Sequence, residues 1–350
     1  MSRRTATLVV AGLLLVALAI VASTMPVPYA ALSPGPTADT LGADHGQPLI
    51  RIEQHRTYPT GGRLDLTTVA VTGADFRMDL LHALRGWVDP QVAIVPRETV
   101  YPDGTSVEEI KRRNAEEMEL SQQHATAAAL RSLDIPVTAT VIVGAVTKGA
   151  PALGVLHAGD RILAVDGEAV STPQDVRAAV IRHQPGDTVR MGIRQGGRTR
   201  TVEIVTAPAP GDETRAIVGI YPSRGYAYPF PVRIRLADVG GPSAGLMFAL
   251  GVVDKLTPGT ITRGRFVAGT GTIDARGNVG PIGGIQMKII GADEAGADVF
   301  LTPEGNCPDA LAVKPDGMRL VAVRTLGDAL DALEALRGSN GWGGVPTCEA

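Results

Sequence analysis

An uncharged stretch near the N-terminus is the first feature of the chain. The run from Ala6 to Tyr29 carries no charged residue and has its apolar centre at Leu8–Ala22. A helix needs about 20 mostly apolar residues to cross a bilayer, so the pattern predicts a transmembrane helix at 6–29. Arg3 and Arg4 precede the run. Their position predicts a cytoplasmic N-terminus, with the rest of the chain on the extracytoplasmic side.

A cleaved signal peptide is the alternative interpretation of this run. It would have an apolar region of about 7–15 residues, followed by a cleavage site of small residues. The sequence Pro26–Ala30 is a poor site of that kind. The pattern therefore favours an uncleaved, single-pass anchor in the cell membrane, with the lipid bilayer as a partner through residues 6–29.

Beyond the anchor, the pattern of apolar positions predicts a linker, a strand and two helices. Residues 31–40 include Pro34, Gly35 and Pro36 and indicate an extended linker. Apolar residues alternate through 63–71, as in a strand, and a short helix is predicted at 76–88. Residues 105–133 fit one long helix, for which Ser106 is a suitable N-cap.

Residues 135–208 have the pattern of a self-contained block of strands around one helix. Thr172 is a good cap, and the proline that follows it suits the first turn of a helix. Strands are predicted at 138–143, 161–165, 188–194 and 199–206, and the helix at 173–183.

This block resembles a PDZ domain. The resemblance rests on Gly149–Ala152 and on His157–Gly167, where Gly-Asp and Asp-Gly turns flank a buried strand. PDZ domains bind extended peptides by adding them to a sheet edge, so the resemblance implies a peptide-docking role. No glycine-rich loop for a peptide carboxylate precedes the first strand, at Leu133–Pro136. Peptide docking and a structural spacer therefore both stay open.

Ser243 lies where a predicted strand, 232–236, turns into a helix at 246–256. Gly241 and Pro242 make the turn tight. Backbone N–H groups at the start of a helix have no intrahelical partner and are suited to holding an oxyanion. A serine before a helix is also commonly a simple N-cap, so Ser243 by itself does not establish catalysis.

Lys288 is the second candidate for chemistry. It lies one turn into a helix that Gly283 and Gly284 open, between apolar neighbours. An isolated helical lysine is usually a solvated charge. Only five of the 33 basic residues are lysines, however, and a lysine, unlike an arginine, loses its proton when it is desolvated. A Ser–Lys pair is a known arrangement of nucleophile and base.

The two motifs together resemble the proteolytic domain of Lon proteases. The matching segments are Gly241–Gly245 and Pro281–Lys288, followed by Ala295–Pro303. The resemblance implies Ser243 as nucleophile and Lys288 as general base. It also implies Thr270 as a hydroxyl that orients the lysine, and backbone groups of Gly241, Ser243 and Ala244 as the oxyanion site.

Composition excludes several other kinds of site. The net charge of −3 argues against nucleic-acid binding. The sequence contains no CxxC, no HExxH and no GxxxxGK[ST], so no metal, cofactor or ATPase site is predicted. Cys307 and Cys348 are free thiols or one disulfide, and an extracytoplasmic location predicts the disulfide.

The expected fold class is α+β, with a PDZ-like domain inserted in a Lon-type proteolytic domain that follows one transmembrane helix. The resemblance to membrane-anchored PDZ–Lon proteases implies ATP-independent cleavage of flexible or unfolded protein segments, and a homo-oligomer in the form of a hexameric ring. The predicted divisions are a cytoplasmic tip (1–5), the anchor (6–29), a linker (30–48), an N-terminal proteolytic part (49–134), the PDZ-like domain (135–208), the catalytic segment (214–337) and a tail (338–350).

Three other functions compete with this one. A Ser-His-Asp hydrolase would need a histidine, and none follows His183. A signal peptidase would carry its serine close to the anchor, whereas Ser243 is far from it in sequence. The third is a catalytically silent, membrane-tethered PDZ scaffold that binds peptides, against which the intact pair of Ser243 and Lys288 argues.

Overall fold

The computed structural model describes residues 3–102, 104–195, 197–236, 239–335 and 344–349, which fall into two compact units. The first unit contains Met1–Ile52, Arg56–Ala129 and Val232–Ala350, as far as these are described. The second unit contains Glu53–His55 and Leu130–Pro231. The second unit is therefore an insertion in the sequence of the first.

Helices and strands alternate irregularly along the described residues. The helices are α1 (Arg3–Thr24), α2 (Leu80–Val88), α3 (Arg97–Val100), α4 (Val107–Ser132), α5 (Pro173–Ile181), α6 (Gly245–Leu256), α7 (Ile285–Glu294), α8 (Cys307–Leu311) and α9 (Leu326–Ala335), with a 3₁₀ turn at Glu304–Asn306. The strands are β1 (Tyr29–Asp39), β2 (Ala43–Asp44), β3 (Gln47–Pro48), β4 (Ile50–Ile52), β5 (Arg63–Val71), β6 (Ala93–Pro96), β7 (Thr138–Val146), β8 (Arg161–Val165), β9 (Glu168–Ala169), β10 (Thr188–Gln195), β11 (Arg198–Val205), β12 (Ala207–Ala209), β13 (Asp212–Ile217), β14 (Ile220–Ala227), β15 (Val232–Ile234), β16 (Phe266–Gly269), β17 (Thr272–Ile273), β18 (Val279–Gly280), β19 (Val299–Pro303) and β20 (Arg319–Val323).

The apolar helix α1 leaves all its described side chains outside the core. It is long and apolar enough to cross a membrane, a property that a signal sequence near the N-terminus shares. The helix ends at Thr24, short of the predicted end at residue 29, because Pro26 and Pro28 cannot continue a helix. Residues 1 and 2 of the predicted cytoplasmic tip lie outside the described residues.

A mixed sheet forms the centre of the first unit, with the strand order β20-β19-β16-β5-β1-β6. Strand β16 runs parallel to β5 and β19, whereas β1 runs antiparallel to both of its neighbours. Gly269, the last residue of β16, pairs with Leu66 on one side and Leu301 on the other. Because the strands are parallel, Thr67 and Thr270 follow at the same end of the sheet.

The linker predicted at 30–48 is wrong, because most of its first half is strand β1. This strand pairs with β5 from Leu32 to Asp39 and with β6 from Tyr29 to Leu32. The prolines that suggested a linker, Pro34 and Pro36, come after Leu32, where the pairing of β1 with β6 ends. Their missing N–H groups therefore cost no hydrogen bond to β6. The register with β5 also shifts between Pro34 and Thr37, which accommodates them.

Helix α6 is the buried helix of the first unit. Every residue from Gly245 to Asp254 is buried. Gly245 allows its close approach, because a Cβ there would lie 2.8 Å from Ile273 Cγ2 and 2.9 Å from Ser121 Oγ. The tight packing fixes the start of α6, which is also the end of the turn that carries Ser243.

The second unit is built on a sheet with the order β11-β10-β8-β7-β14, with β9 beside β8. Helix α5 begins as predicted: Thr172 accepts a hydrogen bond from the Asp175 N–H, and the Asp175 side chain accepts one in return, which forms a capping box. The apolar core of this unit consists mainly of residues from the strands and α5, namely Val141, Val143, Ile162, Val165, Val176, Val180, Val189, Met191, Ile193 and Ile204.

The predicted start of the catalytic segment, residue 214, is also wrong. Residues 214–231 belong to the second unit. Strand β14 pairs with β7 along its whole length, from Ile220 opposite Val146 to Ala227 opposite Thr138. Pro208, Pro210 and Gly211 suggest a domain boundary, whereas in the structure they lie in β12 and the turn that follows it, before strands that still belong to the second unit.

The C-terminal segment is attached to the first unit by a disulfide. Cys307, at the start of α8, is bonded to Cys348, whose N–H donates to the Leu320 carbonyl in β20. The bond therefore joins the chain end to the sheet. Of the predicted tail, residues 338–343 and 350 lie outside the described residues.

Candidate active site

The turn before α6 presents the Ser243 side chain away from the helix. Ala244 is the N-cap of α6, and no side chain caps this helix end. Ser243 is half-buried, and its Oγ lies 3.2 Å from Lys288 Nζ. The simple N-cap interpretation of Ser243 therefore does not describe its contacts.

Helix α4 holds this turn through two hydrogen bonds. The Gly241 N–H donates to the Asn114 carbonyl at 3.0 Å. The Ser121 hydroxyl donates to the Pro242 carbonyl, also at 3.0 Å, and Ser121 is buried. The residues on either side of the turn's tip are thus fixed by one helix, which limits the positions that Ser243 can take.

Helix α7 places Lys288 in the same site. Gly284, the N-cap of α7, has the left-handed φ of 69°, which favours glycine. A Cβ at this position would also lie 3.0 Å from Val69 Cγ2 of β5, so the helix begins in close contact with the sheet. One turn later, the Lys288 side chain is 3% exposed.

The Lys288 amine has two polar contacts. Besides Ser243 Oγ, its Nζ donates to the main-chain carbonyl of Thr67 in β5. Burial lowers the pKa of Lys288 from its ordinary 10.5 to about 8. The reason is that desolvation disfavours the charged ammonium. A substantial share of the amine is then neutral near pH 8, and a neutral amine accepts a proton.

Thr270 contacts the serine rather than the lysine. Its Oγ1 donates to the Ser243 carbonyl at 2.9 Å, and the Gly271 N–H donates to the same oxygen at 2.8 Å. Among the described residues, Lys288 Nζ donates to the Thr67 carbonyl and to Ser243 Oγ, and no hydrogen bond joins it to Thr270. The hydroxyl oxygen of Thr270 keeps lone pairs that can accept a bond, so its role in orienting Lys288 stays a prediction.

The three predicted oxyanion donors differ in whether their N–H groups already donate a hydrogen bond within the protein. The Gly241 N–H is already bonded to Asn114, so the prediction that includes Gly241 is wrong. Within the described ranges, the N–H groups of Ser243 and Ala244 donate to no protein acceptor. These two groups, next to the hydroxyl and at the start of α6, remain as candidate donors.

Two neighbouring cavities lie at or near the Ser243–Lys288 pair. One, of about 360 Å³, is lined by Ser243, Lys288, Thr67, Val69 and other residues of β5. A larger one, of about 890 Å³, runs along α4 and is lined by Lys111 and Gln122 among others. The two share lining residues, namely Met118, Val239 and Gly240. The two cavities are therefore neighbours.

Sequence reasoning missed three groups at this site, namely the Thr67 carbonyl, the Asn114 carbonyl and the Ser121 hydroxyl. Two of them are main-chain atoms, which carry no residue-type signal. Ser121 lies in a helix predicted from its pattern, but its sequence neighbours Glu119, Gln122 and Gln123 are polar as well, so nothing in the sequence distinguishes it.

The second unit has a separate groove of about 390 Å³ beside α5. It is lined by Val176 and Val180 of α5, by Arg215, and by Val218 and Gly219 before β14, among others. Gly219 has a φ of 76°, so the chain turns sharply there. In the described strands, β14 is the last strand of its sheet on this side.

Comparison with protein families gives two matches. The model of the PDZ domain matches residues 106–206, and that of the Lon protease C-terminal proteolytic domain matches residues 237–334. Among curated proteins, Lon protease 2 of Herpetosiphon aurantiacus is 42% identical over 83 residues, which is 24% of this chain and 10% of the relative. Lon protease 2 of Bacillus subtilis is 36% identical over 95 residues, 27% of this chain and 17% of the relative.

An archaeal Lon protease from Methanothermobacter thermautotrophicus is 39% identical over 95 residues, 27% of this chain and 14% of the relative. The chain thus spans less than a fifth of the length of these relatives. The crystal structure of the PDZ domain of an SdrC-like protein from Listeria monocytogenes matches at 29% identity. It covers 24% of this chain and 86% of that one, with a TM-score of 0.23, which is too low to support a conclusion.

The two domain matches confirm the expected α+β fold class, in which PDZ and Lon-type proteolytic domains follow one candidate membrane helix. The stretches of 36–42% identity to Lon proteases agree with the second match. One chain thus combines a match to the PDZ domain with a match to the C-terminal proteolytic domain of Lon proteases, the combination that the sequence resemblances predicted.

Proposed function

We propose that the chain is an ATP-independent serine endopeptidase with Ser243 as nucleophile and Lys288 as general base. The observation that carries the proposal is the 3.2 Å contact between the serine hydroxyl and a buried lysine amine. The lowered pKa of Lys288, about 8, supports the role of the amine as a base.

In the first step, the lone pair of neutral Lys288 takes the hydroxyl proton, and Ser243 Oγ attacks the peptide carbonyl. The Thr67 carbonyl accepts one N–H of the amine and so directs the lone pair towards the serine. The resulting ammonium gives its proton to the leaving amine, and an acyl-enzyme remains. A water molecule, deprotonated by the same lysine, then releases the acyl group.

The charge that develops on the carbonyl oxygen needs donors that are fixed in advance. The N–H groups of Ser243 and Ala244 supply them in this proposal. The hydrogen bonds from Thr270 and Gly271 to the Ser243 carbonyl hold the peptide unit that follows the serine. Loss of one such donor in a protease typically costs about 10²–10³ in rate.

Turnover of casein, a flexible substrate, tests the proposal. Ser243→Ala and Lys288→Arg should each reduce turnover at least about 10³-fold, because each removes one partner of the proton transfer. Lys255→Arg is the matched control, since Lys255 is partly buried in α6, and it should retain activity. Equal turnover by the parent and both site variants would remove the enzyme hypothesis.

The localisation is proposed separately. We infer that α1 stays in the mature protein and anchors it, with the catalytic unit outside the cytoplasm. Its 22 residues extend about 33 Å, enough for a hydrocarbon core of about 30 Å. Resistance to extraction at alkaline pH and an intact N-terminus by mass spectrometry are expected. A mature chain that begins after Thr24 would show a signal sequence instead.

The groove in the second unit supports peptide docking over a structural spacer. In this proposal an extended peptide pairs with β14 at Ile220 and Tyr221, which line the groove, and places side chains against α5. Arg177 and Arg215 also line the groove and suit an acidic or carboxylate group. Ile181→Glu, at an exposed position that lines the groove, should abolish binding of unfolded casein peptides to the Ser243→Ala chain, whereas Val205→Glu, at an equally exposed position outside it, should not. Equal binding by both variants would contradict docking here.

A further inference from the structure

Exposed large hydrophobic side chains of the first unit are confined to two stretches. Among its described residues, every such side chain lies either between Leu8 and Met25 or between Val71 and Val88. The first stretch is α1 and the residue after it. The second includes α2, so this short helix carries an apolar surface that the protein itself does not cover.

The exposed side chains of α2 occupy one face. Leu81, Leu84 and Val88 follow the spacing of three and four residues that places them together on a helix, and Val88 is 82% exposed. The face that packs on the protein is made of small residues, Ala83 and Gly86. A Cβ at Gly86 would lie 2.5 Å from a side chain of β6, so α2 lies flat on the sheet with its larger apolar residues outward.

The N-terminal end of α2 is bonded to the chain that leaves α1. The Leu80 N–H donates to the Met25 carbonyl at 3.2 Å, and the Val27 N–H donates to the Met78 carbonyl at 2.8 Å. Thr24 is the last residue of α1. If α1 spans the bilayer, the point where it emerges is therefore fixed directly beside the apolar face of α2.

Aromatic and basic residues around α2 also match the surface of a bilayer. Trp87 packs edge-on against Tyr29, with ring centroids 5.9 Å apart. Trp and Tyr are enriched at the level of the lipid headgroups. Arg77 and Arg85 are exposed next to the apolar face and could contact lipid phosphates.

We propose that α2, together with Phe76, lies in the interface of the bilayer that α1 spans and holds the catalytic unit against the membrane. The inference rests on the proposed anchor. An interfacial helix of this kind buries its apolar face about 5–10 Å into the boundary between headgroups and acyl chains. We expect lipid, rather than another protein, to cover the apolar face of α2, because the chain runs directly from α1 in the bilayer to this face.

Tryptophan fluorescence of the full chain in vesicles tests this. Trp342→Phe leaves Trp87 as the single tryptophan. The chain is reconstituted in phosphatidylcholine vesicles with a minor share of phosphatidylglycerol and with bromine placed near the headgroup or deep in the acyl chain. Strong quenching of Trp87 by shallow bromine, weaker quenching by deep bromine, and poor access for aqueous acrylamide are expected.

Other outcomes would overturn the proposal. Free access of acrylamide without bromine quenching would show Trp87 in water. Protection from both quenchers would indicate that a second protein copy covers α2. Extraction of the chain at alkaline pH would overturn the anchor and the interfacial helix together, whereas a retained chain with a water-exposed Trp87 would overturn only the latter. Casein turnover is measured separately and reports on the protease.

Charge substitutions separate α2 from the anchor. Leu84→Asp with Val88→Asp, both exposed, should keep the fold and the alkali resistance but reduce bromine quenching by about three-fold or more. The matched control adds the same charges at Leu153 and Val205, exposed positions of the second unit, and should quench like the parent. Equal quenching in both variants would contradict the role of the α2 face.

Discussion

At the scale of single residues, the pKa of Lys288 predicts the pH dependence of activity. The reaction needs the neutral amine, and burial lowers its pKa to about 8. Below that pH, kcat/KM should fall about ten-fold per pH unit, and above it the value should level off. A flexible fluorogenic peptide without titratable side chains, measured from about pH 6 to 9.5, checks this. A flat profile across that range would contradict Lys288 as the base.

The same burial should cost stability. Each pKa unit corresponds to about 1.4 kcal/mol, so the fall from 10.5 to about 8 amounts to roughly 3 kcal/mol at pH 7. Lys288→Met removes this cost but leaves the Thr67 carbonyl unpaired, at about 1 kcal/mol. We expect the free energy of unfolding at pH 7 to rise by about 2 kcal/mol while activity disappears.

The pH dependence of the stability difference between the parent and Lys288→Met tests this explanation. Between about 8 and 10.5, the unfolded lysine holds more proton than the folded one, so parental stability should rise with pH relative to Lys288→Met. Denaturant unfolding of both chains measures the difference. Lys111→Met, at an exposed site of α4, is the control and should change stability by less than about 0.5 kcal/mol. A Lys288→Met chain less stable than the parent at pH 7 would contradict the argument.

At the scale of elements, α4 should act on catalysis through the turn before α6. The Ser121 hydroxyl donates to the Pro242 carbonyl, next to the nucleophile. Removing a bond of about 1 kcal/mol in Ser121→Ala should lower kcat about five- to ten-fold with little change in KM, because the serine is displaced rather than the substrate site. Steady-state kinetics on a flexible peptide measures both values.

Two further variants distinguish a role of Ser121 in positioning Ser243 from a general destabilisation of α4. Ser121→Cys retains a weak donor and should recover part of the lost kcat. Thr126→Val removes a hydroxyl from the same helix that bonds only within the helix, to the Gln122 carbonyl, and should leave kcat unchanged. A KM effect in Ser121→Ala, or an equal kcat loss in Thr126→Val, would indicate that α4 is merely destabilised.

Helix starts were predictable from the sequence, whereas the pairing of distant strands was not. Helix starts with local chemical causes were predictable, as at Thr172 and at Gly284. Strand β1 was not predictable, because prolines are unusual in a strand that pairs on both sides. Strand β6 pairs only with Tyr29–Leu32, so Pro34 and Pro36 need no N–H on that side. The bond from Lys288 to the Thr67 carbonyl depends on the parallel pairing of β5 with β16, which joins segments distant in sequence. No local pattern encodes it.

At the scale of the whole molecule, each of the two units has its own proposed function. The first contains the Ser243–Lys288 pair and the candidate anchor, and the second contains the groove beside α5. The predicted hexameric ring stays a prediction that a molecular-mass measurement would test. The sequence contains no GxxxxGK[ST] motif, and in the proposed function cleavage does not depend on ATP.

The proposed ATP-independent cleavage predicts a preference for unfolded substrates. Ser243 lies half-buried in a cavity of about 360 Å³, so we expect a substrate to reach it as an extended segment that a folded protein must first expose. A disulfide-stabilised protein should be cleaved about 100-fold more slowly in its native form than after reduction and alkylation, because cleavage then depends on the rare open state. Addition of Mg-ATP should not change either rate, and Ser243→Ala sets the background. Acceleration by ATP, or equal cleavage of both forms, would mean that the protein gains access to folded substrates in another way.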